Sequence, residues 1–287
     1  MPDPIPPSRP ERTAAARPEA TPSAGPEPAH RSLLGPVLAV ELGRQWLSPG
    51  AIVVYVLAVL PVLVGLGVAL GRIVARAHGL HTFDTAPRIY PDLFEGLILR
   101  TAIFFGCAWL FIRVFRAENA ARSLHYAFLT PTPRPVLLWG KYLAALIGAA
   151  VLFAGSSLLT LALIASGPVP TGQAAAYAGV AILACAAYGG LFLLLGLLFR
   201  NPVIPVLVLF GWEAILLFLP PWLQHVTVLF YLNSLLPVPL TAGSVAVVAA
   251  PAGTAAAIIV LLVAAAVLTA LAALRATGME IAYARED

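Results

Sequence analysis

Long apolar runs separated by short polar connectors make up most of this chain. A helix needs about 20 apolar residues to cross a hydrocarbon core of about 30 Å. Six runs answer to that requirement: residues 49–71, 93–115, 136–165, 174–199, 203–219 and 251–274. Backbone groups in lipid must be satisfied within their own segment, so these runs predict helices. The expected fold is an all-α, polytopic membrane protein with six transmembrane helices, forming one membrane domain over residues 31–280.

The connectors add shorter elements. Between residues 31 and 47, Leu34, Leu38, Leu42 and Trp46 recur every fourth position, with Glu41, Gln45 and Ser48 on another side. That spacing predicts an N-terminal interfacial helix with Trp46 at headgroup depth. Ser48 and Pro49 then suit the cap and first turn of the first span. Residues 220–237 are apolar but interrupted by prolines and carry Trp222, Gln224, His225, Tyr231 and Asn233. They predict short interfacial helices between spans five and six rather than a seventh span. Residues 1–30 contain nine prolines, six alanines and no aromatic residue, which predicts a disordered tail. Residues 281–287 form a second, short tail.

Composition agrees with the pattern and narrows function. The 287 residues are 60% hydrophobic and 10% charged, against roughly 25% charged in soluble domains. Mean hydropathy is +0.92. Six spans with short connectors leave no space for a soluble catalytic domain. The net charge of +4 comes from arginines at span ends, which points to lipid headgroups rather than nucleic acid. Arg113, Arg116, Arg122, Arg134 and Lys141 lie around the connector after span two, Arg200 after span four, and Arg275 and Arg285 near the C-terminus. Only Arg72, Arg76 and Arg88 fall on the other side. The positive-inside rule therefore places both termini in the cytoplasm, with the chain multi-pass in a plasma or bacterial inner membrane. Cys107 and Cys185 lie inside apolar runs and read as small hydrophobes.

Candidate chemistry is sparse. His78, His81 and Asp84 recur at three-residue spacing in the first connector, a weak metal-binding pattern weakened further by Gly79. Arg100 and Glu213 are charges inside spans and call for partners. At about 1.5 Å per residue, Arg100 lies roughly 9–12 Å and Glu213 roughly 10–15 Å below the outer surface, which predicts an ion pair between spans two and five. The chain has no G-x-x-x-x-G-K-[ST] loop, no H-E-x-x-H, no G-x-S-x-G and no C-x-x-C. No cofactor site is therefore expected on this chain. Residues 116–142 stand apart: Pro131, Pro133 and Pro135 follow a helix-compatible stretch over 118–129 and make a stiff, charged elbow.

That elbow resembles the cytoplasmic loop of type-2 ABC exporter permeases, where E-x-x-x-G-T-L, L-L-T-x-P, R and G-K-Y follow the second span. The corresponding residues are Glu118, Ser123, Leu124, Leu129, Thr130, Pro133, Arg134, Gly140, Lys141 and Tyr142, with Arg122 in place of the family's glycine. The resemblance implies a cytoplasmic coupling helix between spans two and three. Glu118 and Arg122 would form an i, i+4 pair, Leu124 and Phe128 would anchor one face, and Leu129, Thr130, Pro133, Arg134 and Lys141 would complete the ATPase-coupling surface. It also implies two copies of a cytoplasmic ABC ATPase subunit carrying ATP and Mg, and a second permease subunit in a homodimer. The expected function is export of a substrate driven by that ATPase, with no enzymatic activity on this chain. Two other readings remain open: an intramembrane enzyme or assembly factor using the His/Asp cluster or Glu213, and a membrane anchor that recruits a cytoplasmic partner through the elbow.

Overall fold

A computed structural model describes residues 34–78, 86–120, 134–165, 169–215, 220–237 and 251–277. Among the described residues the regular structure is entirely helical. Five helices among the described residues are long and apolar enough to cross a membrane: Pro49–Ala77, Ile89–Val114, Leu138–Ile164, Thr171–Leu198 and Thr254–Ala276. The elements are α1 (Leu34–Trp46), a 3-10 turn (Pro49–Ala51), α2 (Ile52–Ala77), α3 (Ala86–Leu93), a π-helix (Phe94–Ile103) and α4 (Phe104–Ala120). They continue with α5 (Arg134–Ile164), α6 (Thr171–Leu198), α7 (Val203–Ala214), α8 (Pro221–Gln224), α9 (Val228–Ser234) and α10 (Thr254–Thr277).

The fifth expected span differs. Within residues 203–219 the helix is Val203–Ala214, capped by Ile215, and residues 216–219 lie outside the described ones. Twelve residues reach roughly 18 Å at 1.5 Å each, short of a core of about 30 Å. The first span is longer than its apolar run. Helix α2 continues to Ala77 and takes in Arg72 and Arg76, which the sequence pattern assigns to a connector. Arg72 is buried, and its Nη2 donates to the carbonyl of Leu163 at 3.2 Å. Leu163 belongs to the last turn of α5, where carbonyls lack intrahelical donors, so the guanidinium caps that helix.

Helix α6 is the centre of the bundle and packs against α10, α5 and α4. It shares with the second span the highest burial of the five, 61%, whereas α2 and α10 are 28% buried and present most of their apolar surface outward. Small residues set the closest approaches, as expected where lipid gives helices no hydrophobic reason to associate. A Cβ at Gly190 would stand 2.9 Å from the carbonyl oxygen of Ala265 on α10. Ser156 of α5 donates to the Ala58 carbonyl at 2.5 Å, one turn ahead of Pro61, and ties α2 to α5. Aromatic rings fill the remaining space: Tyr90, Phe94 and Tyr177 in one group, Phe104, Tyr188, Phe192 and Phe210 in another. Cys107 and Cys185 are buried free thiols, as their apolar setting predicts.

Helix α1 lies against α5. Glu41 is 7% exposed, whereas Val40 is 69% and Leu42 37% exposed, so the charged face turns inward. Trp46 packs so tightly on α5 that a Cβ at Gly148 would collide with its indole ring. The short helices expected over residues 220–237 are present as α8 and α9, the second capped by Thr227, whose hydroxyl accepts from the Phe230 amide at 3.3 Å. The tails expected at 1–30 and 281–287 lie outside the described residues.

Candidate functional site

Two groups of polar side chains interrupt this apolar bundle. The first surrounds the elbow's C-terminal end. The elbow joins α4, which ends at Ala120, to α5, which begins at Arg134. Residues 121–133 lie outside the described ones, and with them Arg122, Ser123, Leu124, Phe128, Leu129, Thr130 and Pro133. Glu118 falls in the last turn of α4 and Arg134 opens α5.

The Gly-Lys-Tyr end is well defined. Lys141 is 1% exposed, and its Nζ donates to Glu41 Oε1 of α1 at 2.8 Å. Gln45 braces both partners, its Nε2 donating to Glu41 Oε2 at 3.4 Å and to the Lys141 carbonyl at 3.3 Å. Arg44 approaches Glu41 at 3.9 Å. One residue on, the Tyr142 hydroxyl donates to the Ala186 carbonyl of α6 at 3.0 Å. An ammonium and a carboxylate at such low exposure are stable only together, because each leaves water at a cost of several kcal/mol. The consequence is positional. Lys141 does not sit on an outer surface; it locks α1 to α5, while Tyr142 locks α5 to α6.

The second group lies among the π-helix, α6, α7 and α9. The sequence pairs Arg100 with Glu213, and the structure brings them together, with different partners for their charged ends. Arg100 Nη2 donates to the backbone carbonyl of Glu213 at 3.3 Å and meets the carboxylate of Glu95 at 3.8 Å. That carbonyl is in the last turn of α7, where intrahelical donors run out. The Glu213 carboxylate instead accepts from the Tyr188 hydroxyl at 2.6 Å. Asn233 Nδ2 donates to Glu95 Oε1 at 3.2 Å and closes the chain of contacts. Tyr188 is fully buried and Glu213 3% exposed.

The surrounding backbone departs from the α-helix at this place. Phe94–Ile103 is a π-helix, a conformation that is rare and concentrated at functional sites. Thr101 Oγ1 donates to the Gly96 carbonyl five residues back at 3.0 Å. Three buried atoms of the network lack hydrogen-bond partners among the described residues: Arg100 Nε, Glu213 Oε1 and Asn233 Oδ1. One is a donor and two are acceptors, so the network offers both signs of hydrogen bond to a small polar group.

Sequence reading missed Tyr188, Glu95, Asn233 and Glu41 as members of these networks. Tyr188 stands in an apolar run and reads there as packing; Glu41 meets Lys141 across 100 residues, and no local spacing encodes that contact. The weak metal pattern is not assembled where it can be seen. His78 caps α2 and is exposed, and His81 and Asp84 lie outside the described residues. Among the described residues no group of three His, Cys, Asp or Glu side chains is placed to hold a metal. Compared with family models, curated proteins and solved structures, the chain matches none.

Proposed function

We propose that this chain is the transmembrane permease subunit of an ATP-binding cassette exporter, driven by a separate cytoplasmic ATPase. The observation that carries the reading is the anchorage of the elbow. The segment that resembles a coupling loop joins two of the apolar helices directly, and its Gly-Lys-Tyr end is fastened to α1 through Glu41 and to α6 through the Ala186 carbonyl. A push on residues 118–134 thus reaches the central helix of the bundle through rigid contacts, which is what a drive element requires. The polar network of Arg100, Glu95, Asn233, Glu213 and Tyr188 lies along the same central helix, where a shift of α6 alters its geometry.

In this reading the apolar run over residues 203–219 serves as the fifth of six spans, and both termini face the cytoplasm with the elbow. Glu118, Arg122, Leu124, Phe128, Leu129, Thr130, Pro133 and Arg134 form the ATPase-facing surface, and Lys141 holds that surface to the bundle. Two ATPase copies bind ATP and Mg, and two copies of this chain enclose the pathway in the plasma membrane.

Co-purification of the full-length chain with candidate ATPases tests the reading. Arg122→Glu and Phe128→Ala each reduce the recovered ATPase at least severalfold relative to the unaltered chain. Undiminished association in both variants refutes the coupling surface.

A further inference from the structure

A pocket of about 140 Å³ opens where the end of α1, the turn into α2 and the end of the second span meet, lined by Arg44, Gln45, Ser48, Trp109 and Arg113 among others. Its most telling member is Arg113. The guanidinium lies 5.1 Å from the centroid of the Trp109 ring, a cation–π distance. It also presses on the backbone at Gly50, so closely that a Cβ there would collide with it. The Trp109 indole N–H donates to the Gly50 carbonyl at 2.8 Å, which fixes the ring under the cation. Among the described residues the Arg113 guanidinium makes no hydrogen bond and no ion pair.

Charge around the pocket is positive. Glu41 is the lining carboxylate, and Lys141 neutralises it at 2.8 Å. Arg44 also meets that carboxylate, at 3.9 Å, and Arg113 is the lining cation on which the charge argument rests. Depth sets the ligand class. Gly50 is at one end of the span Pro49–Ala77 and Arg113 at one end of Ile89–Val114, so the pocket lies at the level where hydrocarbon gives way to headgroups. Ala51, Leu110 and Val114 supply an apolar wall, and outward-facing Leu47 (87% exposed) and Ile52 (60%) continue it along the bundle surface.

We propose that this pocket binds the phosphate of an anionic phospholipid, held in the fork of Arg113 with its acyl chains along α2. A planar guanidinium fixed by stacking presents a preorganised pair of N–H donors to a phosphodiester. Basic pockets beside the ends of membrane helices recognise anionic headgroups by this chemistry. The inference is independent of any transport role.

Native mass spectrometry of the full-length protein in detergent, titrated with phosphatidylglycerol or phosphatidylcholine, tests it. The protein retains phosphatidylglycerol over phosphatidylcholine, and Arg113→Gln weakens that retention about fivefold, the effect of about 1 kcal/mol per interfacial cation. Gly50→Ala leaves net charge unchanged yet displaces the guanidinium, and it weakens retention to a similar degree. Arg113→Lys keeps the charge and loses the fork, and falls between. Arg76→Gln, at the other end of α2, has no effect. The proposal is overturned by equal retention of the two lipids, by wild-type retention in both Arg113→Gln and Gly50→Ala, or by an equal loss in Arg76→Gln, which marks general electrostatics. Displacement of the lipid by millimolar inorganic phosphate overturns it in favour of a free anion.

Discussion

The Lys141–Glu41 contact gives the sharpest quantitative test of how this bundle is held. Two unit charges 2.8 Å apart attract by about 6 kcal/mol at an effective dielectric constant near 20. Desolvation of the two ions, several kcal/mol each, offsets most of that. The intact pair therefore contributes little net stability, whereas removal of one partner strands a buried charge, at about 3–5 kcal/mol. Lys141→Met falls at the lower end, about 3 kcal/mol, because Glu41 keeps Gln45 at 3.4 Å and Arg44 at 3.9 Å. The double variant Glu41→Leu/Lys141→Met leaves no charge to strand and lies within about 1 kcal/mol of the unaltered protein. The coupling energy of the cycle, the two single losses together less that of the double variant, is then at least about 5 kcal/mol. Denaturant unfolding of the detergent-solubilised protein, followed by tryptophan fluorescence, measures all four corners. Strictly additive single effects refute the argument, and so does a double variant less stable than Lys141→Met.

Two further substitutions probe the packing and the inner network. Gly190→Ala brings a methyl group to 2.9 Å from the Ala265 carbonyl and destabilises by about 1–3 kcal/mol, while Gly179→Ala, with nothing within 4 Å, is neutral or stabilises slightly; thermal melts that rank the pair the other way contradict the α6–α10 contact. Tyr188→Phe deprives Glu213 Oε2 of its donor at 2.6 Å and costs about 1–3 kcal/mol, and Tyr188→Phe/Glu213→Leu recovers most of that loss in the same melts; no recovery means the hydroxyl acts elsewhere.

Hydropathy made the long helices legible because an uninterrupted apolar run has one stable conformation in lipid. It was less informative about where a helix stops. The run over 203–219 stays apolar past Ala214, yet the helix there ends at Glu213 and Ala214, where Arg100 takes the terminal carbonyl. At the other extreme α2 runs on through Arg72, which finds the end of α5 to cap. Both outcomes depend on a neighbour distant in sequence. The Arg100 and Glu213 neighbourhood was readable from depth alone, since two charges at one level in a membrane must be satisfied. The choice of Tyr188 for the carboxylate was not readable, because a tyrosine among leucines and alanines carries no sign that its hydroxyl is in use. On α1 the apolar row divides, with Trp46 packed on α5 and Leu42 turned outward, while Glu41 faces Lys141 through a contact that spacing within α1 does not encode.

The inward-facing charge on α1 bears on the order in which the protein is made. Glu41 and Lys141 are 100 residues apart, and at a synthesis rate of about 5–20 residues per second, roughly 5–20 seconds separate their appearance. Throughout that interval α1 has emerged and its partner has not. Helix α1 is thus unable to dock until the third long helix arrives, and a nascent chain halted before residue 141 presents the charged face of α1 to whatever binds it. Helix α1 is made ahead of α2 and the second span, yet it is secured only after both.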